Sequence, residues 1–508
     1  MRKLLVANRG EIAVRVIRAC RELGIATVAV YSDCDRAALH VRLADEAWPL
    51  DGNAALDTYL RIDKLLDVVR SSGADAVHPG YGFLAEHAGF AVACRDAGAI
   101  YVGPSPRAIE VMGSKTTARA AAAAAGVPVV PGSVGAIPPD APEPQVADQA
   151  RGVGYPLLIK AVAGGGGKGM RMVTSAPELG GALRAARSEA NSAFGDSRVY
   201  LERYVSQPRH VEVQLLGDAE GAIVPFVERD CSIQRRHQKV VEESPSPAVG
   251  ATLRRELADA AVRVAKEVQY TSAGTVEFLL TPDGTFYFLE MNTRLQVEHP
   301  VTEAVTGVDL VQWQLRIADG GPLTIDPDVA LTPRGHAIEV RVYAEDPDTG
   351  FLPSPGYVTH FRPPSGPGIR DDSGLLAAGD VPVHYDPLIS KLVAWGADRD
   401  RAVARLARAL REYEIDGVRT TLPFFRWLVE EENFVTGAVD TGWLDRVIAA
   451  RNGESFASID EDTARLAAIA VALAQHARAA AGGGSAPDGS ASELRDRWTL
   501  AARREALR

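Results

Sequence analysis

Two glutamates on neighbouring predicted strands could together bind a metal ion. Glu277 lies within the strand-like run 274–280, and Glu290 directly follows a second run, 284–289. A Pro-Asp-Gly turn joins the runs, so an antiparallel hairpin would bring the two carboxylates side by side. With the amide of Asn292 they would form an all-oxygen site that suits Mg²⁺. The pattern fits equally well a half-buried hairpin whose glutamates face solvent.

A run of glycines offers a second candidate site. The segment consists of Gly164, Gly165, Gly166, Gly167, Lys168, Gly169 and Met170. Glycine backbones can close over phosphates, with their N–H groups as donors. The segment has neither the Gly-Lys-Ser/Thr ending of a P-loop nor the glycine spacing of a dinucleotide fingerprint. Because strand patterns flank it, at 157–161 and 170–173, we interpret it as a hairpin lid rather than a flexible linker.

Lysine usage points to anion binding. The chain has 8 Lys against 47 Arg, so the few lysines should be enriched where a compact ammonium matters. Lys160 precedes the glycines, Lys115 stands at a predicted helix start, and Lys239 belongs to the cationic cluster 235–239. We interpret these three as ligands of phosphate or of a carboxylate-like substrate.

Composition excludes several other classes of protein. A chain of 508 residues with a net charge of −11 and no basic tail argues against nucleic acid as the main partner. Four cysteines without a Cys-x-x-Cys pair predict a reducing compartment and no structural zinc. The N-terminus begins as a strand rather than a signal peptide, and no apolar run reaches about 18 residues. These features predict a cytoplasmic protein without a membrane span.

The predicted elements that would position these residues begin with a parallel sheet. Strand 4–8, helix 11–23 and strand 26–31 form a βαβ unit, and later strands are predicted at 75–78 and 99–102. This order is typical of an α/β fold.

The C-terminal third of the chain has a different pattern. Residues 336–343 predict one of several alternating strands, and 399–412 predict a helix. The Ala-rich end of the chain predicts a helix at 463–481 and a flexible linker at 482–492.

Several motifs together resemble the biotin carboxylase component of biotin-dependent carboxylases, in the ATP-grasp superfamily. The similarity extends from about residue 1 to residue 445. Its motifs are Ala7-Asn8-Arg9-Gly10-Glu11-Ile12-Ala13, His78-Pro79-Gly80-Tyr81-Gly82-Phe83-Leu84, the glycine segment, Arg229-Asp230-Cys231-Ser232 with 234–240, the hairpin 290–300, and Phe351-Leu352-Pro353-Ser354-Pro355-Gly356.

The resemblance implies a domain organisation. It predicts an N-terminal Rossmann-like domain at 1–114 and an ATP-grasp module at 115–330, with a lid at about 133–203. A C-terminal α+β biotin carboxylase domain would follow at 331–445. Residues 446–508 would be an Ala-rich helical tail and linker.

The resemblance also implies a reaction. ATP would phosphorylate bicarbonate to carboxyphosphate, which would release CO₂ beside biotin for attack by the biotin enolate. The ATP-binding residues would be Lys115, Lys160, Gly164, Gly165, Gly166, Gly167, Gly169, Met170, Glu202, Arg203, Val205, His210, Gln234, His237, Glu277, Leu279 and Glu290. Mg²⁺ or Mn²⁺ would be held by Glu277 and Glu290 with Asn292 close by.

The remaining carried-over residues would bind bicarbonate and biotin. Bicarbonate would be cradled by Lys239, Arg294, Gln296 and Val297. Glu298 would be the general base that deprotonates bicarbonate, and Arg341 would stabilise the biotin enolate. Tyr81, Gly82 and Asp386 would lie near the biotin pocket.

The sequence lacks an Ala-Met-Lys-Met biotinylation motif, so biotin would arrive on a carrier protein or domain. A carboxyltransferase subunit would use the product. The resemblance also implies a homodimer, formed through the helix with Arg18 and Glu22 and through the C-terminal domain, although these two residues could equally form an intrahelical pair. The tail is compatible with either a truncated fused α subunit or a partner-docking helix.

Three other functions compete with this one. The chain could belong to a pyruvate or urea carboxylase rather than an acyl-CoA carboxylase. It could be another bicarbonate-activating ATP-grasp ligase, such as a carbamoyl-phosphate synthetase. A non-catalytic ATP-binding scaffold is disfavoured because no catalytic residue of the family pattern is missing.

Overall fold

A computed structural model describes residues 1–133, 135–162, 170–457 and 461–481. The chain divides into two compact units, 1–453 and 454–508. Within the described ranges, short 3₁₀ helices lie at Asp33–Asp35, Ala55–Asp57, Ala176–Glu178 and Pro347–Thr349.

The N-terminal region is a parallel sheet, as the βαβ pattern predicts. Strands β1 to β5 pair in the order β3-β2-β1-β4-β5, and all four pairings are parallel. Apolar side chains of β1 and of one face of α1 are buried together, which holds this helix against the sheet. The elements are β1 (Lys3–Val6), α1 (Gly10–Glu22), β2 (Ala26–Tyr31), α2 (Leu39–Leu43), β3 (Glu46–Pro49), α3 (Ile62–Ser72), β4 (Ala76–His78), α4 (Ala88–Asp96), β5 (Ile100–Tyr101) and α5 (Pro106–Gly113).

The next region contains a three-stranded sheet in the order β7-β6-β8, with one face covered by two helices. Lys160 on β6 pairs with Met170 on β7, so the glycine segment joins two antiparallel strands, as predicted. The five glycines themselves, 164–167 and 169, lie outside the described residues. The elements are α6 (Lys115–Ala124), α7 (Glu143–Val153), β6 (Leu157–Ala161), β7 (Met170–Val173), α8 (Leu179–Phe194) and β8 (Val199–Arg203).

A nine-stranded sheet forms the centre of the first unit. Eight of its strands follow the order β14-β13-β9-β11-β12-β15-β22-β20, and β10 pairs with β9. Its first part contains β9 (Arg209–Gly217), β10 (Ile223–Pro225), β11 (Arg229–Arg235), β12 (Gln238–Ser244), α9 (Ala251–Glu267), β13 (Ser272–Leu280), β14 (Phe286–Asn292), α10 (His299–Thr306), α11 (Leu310–Ala318) and α12 (Pro327–Ala330).

The predicted acidic hairpin is present in this sheet. Strands β13 and β14 pair antiparallel with Glu277 directly opposite Glu290. Both strands are stabilised from one side by β9, whose pairing with β13 runs from Ser272 to Leu280.

The C-terminal region extends the same sheet. Strand β15 pairs with β12 on one side and β22 on the other. The region contains β15 (His336–Tyr343), β16 (Glu345–Asp346), β17 (Leu352–Pro353), β18 (Gly356–Val358), β19 (His360–Arg362), β20 (Ile369–Ser373), β21 (Gly379–Val381), β22 (Leu388–Gly396), α13 (Arg399–Glu412), β23 (Glu414–Asp416), α14 (Leu422–Leu428), α15 (Glu432–Thr436) and α16 (Trp443–Ala450).

Strand β15 differs from a half-exposed alternating strand. Helices α10 and α13 both contact it, and its polar residues His336 and Glu339 are buried with the apolar ones. The sheet therefore carries buried charges in its interior as well as apolar side chains.

The second unit contains α17 (Glu461–Ala481), which confirms the predicted helix at 463–481. The predicted linker at 482–492 lies outside the described residues. Among the residues that the structure describes, no helix is long and apolar enough to span a membrane.

Candidate active site

A cleft of about 460 Å³ is lined by residues of both the three-stranded and the nine-stranded sheets. It brings together most of the residues predicted from the sequence. These are Lys115, Lys160, Met170, Glu202, Arg203, Val205, His210, Gln234, His237, Lys239, Glu277, Leu279, Glu290, Asn292, Arg294, Gln296, Val297, Glu298 and Arg341.

One part of the cleft, the Lys160 end, contains Lys115, Arg119, Lys160 and Glu202. The Lys160 ammonium and the Arg119 guanidinium both contact the Glu202 carboxylate, and Arg119 also donates to the Val130 carbonyl at 2.8 Å. Arg119 has no motif around it, which is why sequence reasoning missed it.

Lys115 occupies the first position of α6, where free backbone N–H groups and the helix dipole favour an anion. Burial lowers the pKa of Lys115 below its usual value, and the nearby Lys160 ammonium adds to the lowering. Two adjacent cations with only partial compensation are suited to a polyanion.

Apolar side chains wall the same part of the cleft. They are Val130, Leu158, Met170, Tyr200, Leu279 and Leu289. Such walls beside a cationic end fit a ligand with a flat apolar group and an anionic tail. The segment 440–446 also lines the cleft, and Thr441 is tied to the wall because its N–H donates to the Pro208 carbonyl at 3.0 Å. Sequence reasoning missed this segment, which is distant along the chain and has no distinctive pattern.

The other part of the cleft, the Lys239 end, contains Glu212, Lys239, Glu277, Glu298 and Arg341. The Lys239 ammonium lies 2.5 Å from Glu212 Oε2 and 2.7 Å from both Glu277 Oε1 and Glu298 Oε1. It also donates to Gln296 Oε1 at 3.1 Å. Burial alone would lower the pKa of Lys239, but the three carboxylates raise it well above its usual value.

Glu298 is shared between two cations. Its Oε1 accepts from Lys239, and its Oε2 accepts from Arg341 Nη2 at 3.1 Å. Burial alone would raise the pKa of Glu298, but Lys239, Arg341 and Arg229 hold it well below its usual value. The carboxylate is therefore ionised at neutral pH.

The two glutamates of the hairpin differ in their surroundings. Glu277 Oε1 accepts from Lys239, from Asn292 Nδ2 at 2.9 Å and from Gln296 Nε2 at 3.0 Å. Despite burial, Lys239 and His210 hold the pKa of Glu277 well below its usual value. Burial and the neighbouring Glu277 charge raise the pKa of Glu290.

This donor set fits a divalent cation. Two adjacent buried carboxylates repel each other, and a hard cation between Glu277 and Glu290 would relieve that repulsion. The ligand atoms of His210, Glu212 and Glu277 also lie within 4.8 Å of one another. Glu212 is a residue that sequence reasoning missed, although its position two residues after His210 on β9 places both side chains on one face.

His210 and Gln234 form a pair beside the metal residues. The Gln234 amide lies 2.8 Å from His210 Nδ1, and His210 Nε2 lies 2.7 Å from Glu277 Oε2. His237 is exposed at the turn between β11 and β12, where its backbone has a φ of 66°.

Arg294 is held by a residue from the N-terminal region. Its Nε donates to Glu86 Oε2 at 3.0 Å, and its Nη2 donates to Asn292 Oδ1 at 3.2 Å. Glu86 also accepts from the Thr293 N–H at 2.9 Å. Sequence reasoning missed Glu86, which lies two residues beyond the Gly-Tyr-Gly-Phe-Leu motif.

Arg229 supports the Lys239 end from inside the sheet. Its fully buried guanidinium lies 2.5 Å from Glu212 Oε1 and donates to Gln214 Oε1 at 3.0 Å and Thr302 Oγ1 at 2.9 Å. It therefore fixes Glu212 in place for Lys239.

Tyr81, Gly82 and Asp386 do not line the cleft. The loop with Tyr81 is held by Asn8, whose amide donates to the Pro79 and Tyr81 carbonyls, each at 2.7 Å. Gly82 has a φ of 69°, in the left-handed region that favours glycine. Burial raises the pKa of Asp386.

Lys391 connects this loop to the cleft. Its fully buried ammonium donates to the Val297 carbonyl at 3.0 Å, lies 3.1 Å from Glu11 Oε2, and is 5.7 Å from the centre of the Tyr81 ring. Lys391 was not among the predicted site residues, although the scarcity of lysine in the chain gave a signal for it.

The arrangement of a lid hairpin, a paired-glutamate hairpin and a cationic cleft between two sheets defines an ATP-grasp ligase. Three family models match the chain. "Biotin carboxylase, N-terminal domain" matches residues 1–109, "Carbamoyl-phosphate synthase L chain, ATP binding domain" matches 114–326, and "Biotin carboxylase C-terminal domain" matches 339–446.

Curated relatives agree with these matches. The biotin carboxylase of Nostoc is 50% identical over 445 residues, covering 88% of this chain and 99% of the relative. A pyruvate carboxylase subunit of Methanothermobacter thermautotrophicus is 49% identical, covering 91% and 93%. The methylcrotonoyl-CoA carboxylase α subunit of Rattus norvegicus is 48% identical, covering 87% of this chain and 61% of the relative.

Solved structures are equally similar. A biotin carboxylase–ATP complex from Campylobacter jejuni has a TM-score of 0.84 at 42% identity, covering 88% of this chain and 98% of that chain. The biotin carboxylase domain dimer of Hydrogenobacter thermophilus 2-oxoglutarate carboxylase, in complex with MgADP and bicarbonate, has a TM-score of 0.85 at 44% identity, covering 90% and 99%. The chain belongs to the biotin carboxylase family. This confirms the family, the fold class and the ligase class predicted from the sequence.

Proposed function

We propose that this chain carboxylates biotin with ATP and bicarbonate, as the first half-reaction of a biotin-dependent carboxylase. The observation that supports this best is the geometry of Lys239, which contacts Glu212, Glu277 and Glu298 in the same cleft as Lys115 and Lys160. One cleft thus combines a polyanion site with a base beside a cation.

ATP would bind with its phosphates at the Lys160 end and its base between the apolar walls. Lys115 and Lys160 would neutralise charge on the transferring phosphoryl group. Glu277 and Glu290, with Asn292, would hold Mg²⁺ or Mn²⁺, which supplies charge neutralisation at the phosphates when bound. The glycine segment would cover the nucleotide.

Bicarbonate would bind at the Lys239 end, against Lys239, Arg294, Gln296 and the Val297 backbone. Glu298 would take the bicarbonate proton. Its low pKa makes it a weak base while both Lys239 and Arg341 contact it. An incoming anion would attract those cations away from Glu298 and so strengthen it as a base.

Biotin would be bound beside Arg341, whose guanidinium favours negative charge developing on the ureido oxygen. Tyr81, Gly82 and Asp386 would form the other side of this pocket. Lys391 supports the assignment, since it contacts both the Tyr81 ring and the Val297 carbonyl.

Biotin would arrive on a carrier protein or domain, and a carboxyltransferase would choose the final acceptor. Relatives of similar identity are named for different carboxylases, so an acyl-CoA carboxylase is one proposal and a pyruvate or urea carboxylase the alternative. The four free cysteines support a cytoplasmic location. The proposed domains are 1–114, 115–330 with the lid at about 133–203, 331–445 and 446–508.

The assay is incorporation of labelled bicarbonate into free biotin, with phosphate release measured in parallel. Both should require ATP, bicarbonate and biotin, and a biotinylated carrier should give a higher kcat/KM because tethering raises the local biotin concentration. Ammonia-stimulated ATP cleavage without biotin carboxylation would instead indicate a carbamoyl-phosphate synthetase.

We also propose a homodimer through α1 and the C-terminal region. Arg18 is exposed, and Glu22 accepts from Gln312 Nε2 at 2.7 Å, so Arg18 is available to a partner. Reversal of Arg18 to Glu should weaken dimerisation in analytical ultracentrifugation. A monomeric wild type at micromolar concentration would contradict the proposal.

A further inference from the structure

Two carboxyl groups face each other inside the sheet, below the Lys239 end. Glu242 on β12 and Glu339 on β15 are register partners, so their side chains lie next to each other on one face. Both residues are fully buried. Neither has an assigned role in the proposed reaction.

Arg341 lies on the same face, two residues beyond Glu339. Its Nη2 is 2.5 Å from Glu242 Oε1 and 3.1 Å from Glu298 Oε2. One guanidinium nitrogen is therefore shared between Glu298 and a carboxyl group that belongs to the interior of the sheet.

The carboxyl pair is otherwise unsatisfied. None of the four oxygens of Glu242 and Glu339 has a hydrogen-bond partner of good geometry among the described residues. Arg341 and Lys391 are the cations that face the pair, whereas Glu298 adds a like charge.

Both groups hold their protons more tightly than an exposed glutamate. Burial raises the pKa of Glu242 to about 7, against the opposing effect of Arg341. Burial and the Glu242 charge raise the pKa of Glu339 well above its usual value, despite Lys391. Two adjacent buried carboxyls titrate as a unit, and the pair at neutral pH holds at least one proton.

We propose that Glu242 is a positioning residue that holds the Arg341 guanidinium away from full pairing with Glu298, with Glu339 as its neutral neighbour. This rests on the proposed function, in which Arg341 serves biotin and Glu298 serves bicarbonate. A guanidinium divided between two anions is available to a third, whereas one paired only with Glu298 is not.

The physical consequence is a link between the sheet interior and both substrates. Loss of the Glu242 charge would leave Glu298 as the main anion for Arg341. The closer pair would weaken Glu298 as a base and withdraw Arg341 from biotin. Binding of ATP at the Lys160 end would be unaffected.

The test is a double-mutant cycle in the carboxylation of saturating free biotin. Glu242→Gln should lower kcat about 10-fold or more, since small displacements of catalytic groups have effects of this size. The KM for ATP should change by less than about 2-fold. Combined with Arg341→Ala, Glu242→Gln should cause no further loss, because its effect acts through Arg341.

Glu243→Gln is the matched control. Glu243 is the next residue on β12, is also buried, and faces the other side, where it accepts from His336 Nε2 at 2.7 Å and Arg399 Nε at 2.8 Å. It should lower thermal stability without changing kcat for biotin. Equal losses of kcat in the two variants would show a general structural effect and refute the proposal.

Other outcomes also decide the question. Glu339→Gln replaces a neutral carboxyl by a neutral amide and should leave kcat within about 2-fold; a larger loss would refute the neutral-neighbour role. If Glu242→Gln does not fold, Glu242→Asp, which withdraws the carboxylate, should show the same kcat defect. An inactive wild type would refute the proposed function, whereas an active wild type with a normal Glu242→Gln or multiplicative effects would refute only this inference.

Discussion

The two ends of the cleft manage charge differently. At the Lys160 end, Lys115 has no carboxylate in direct contact, and apolar side chains form much of the wall. At the Lys239 end, every charged side chain of the named set contacts an opposite charge, and all are mostly buried.

The difference explains what each end can bind. Uncompensated cations beside an apolar wall are prepared for a polyanion such as a nucleotide phosphate. A self-neutralised cluster admits an anion only if its own ion pairs separate. The Lys160 end is therefore a binding site with little rearrangement, whereas the Lys239 end couples binding to a change in the protonation behaviour of Glu298.

The largest expected effect separates the ends by stability. Lys239→Met leaves Glu212, Glu277 and Glu298 without their shared cation, and removal of one partner of a buried ion pair costs about 3–5 kcal/mol. Denaturant titration should show a fall of this size in the free energy of unfolding, with loss of carboxylation.

Lys115→Met is the matched change at the Lys160 end. It should lower the free energy of unfolding by less than about 1 kcal/mol, because Lys115 has no direct ion pair. It should weaken ATP binding about 10-fold or more, the usual value of a hydrogen bond to a charged group. Equal destabilisation by the two lysine changes would break the comparison.

The next effect separates the ends by chemistry. Glu298→Gln keeps the shape of the side chain but removes the base, so biotin carboxylation should fall about 10²-fold or more. The affinity for an ATP analogue, measured by calorimetry, should stay nearly constant. Normal turnover would remove Glu298 from the mechanism.

The pH dependence of stability tests the buried charges behind the Lys239 end. Burial raises the pKa of Glu11 from 4.5 to about 7, against the effect of Lys391. Between these values the unfolded chain releases a proton that the folded chain keeps, so stability falls as pH rises from about 4.5 to 7 and then levels off.

Glu11→Gln should remove this part of the slope, at most about 3 kcal/mol at 1.4 kcal/mol per pKa unit. Denaturant titrations at several pH values would measure it. A mutant whose stability keeps the wild-type slope over this window would show that Glu11 is ionised throughout.

The smallest expected effect concerns the metal residues, which lie between the two ends. Glu290→Gln removes a hard anionic ligand and should raise the Mg²⁺ concentration needed for half-maximal activity about 10-fold. Relief of the repulsion from Glu277 should leave stability unchanged or slightly higher. Overlapping metal titrations of mutant and wild type would contradict the two-carboxylate site.

Local pattern was sufficient for much of the fold. The βαβ unit, the hairpin that pairs Glu277 with Glu290, and the helix at 399–412 are all present as predicted. Each depends on residues within a short stretch, where periodicity and a turn motif define the geometry. The family motifs likewise placed most of the predicted site residues in one cleft.

What sequence reasoning missed comes from distant segments. Glu86, Arg119, Glu212, Lys391 and the segment 440–446 lie in or beside the site through contacts over tens to hundreds of residues. No local pattern distinguishes a glutamate that will hold Arg294 from one that faces solvent.

The sequence by itself determined the residue types that can bind phosphate, metal and bicarbonate, because these depend on side-chain chemistry and short spacings. Only the tertiary structure decided how their charges are compensated. Whether Lys239 faces three carboxylates, or Arg341 is divided between Glu242 and Glu298, depends on strand order and register across the nine-stranded sheet. Electrostatic free energies depend on distance and burial, and neither is encoded in any single segment of the chain.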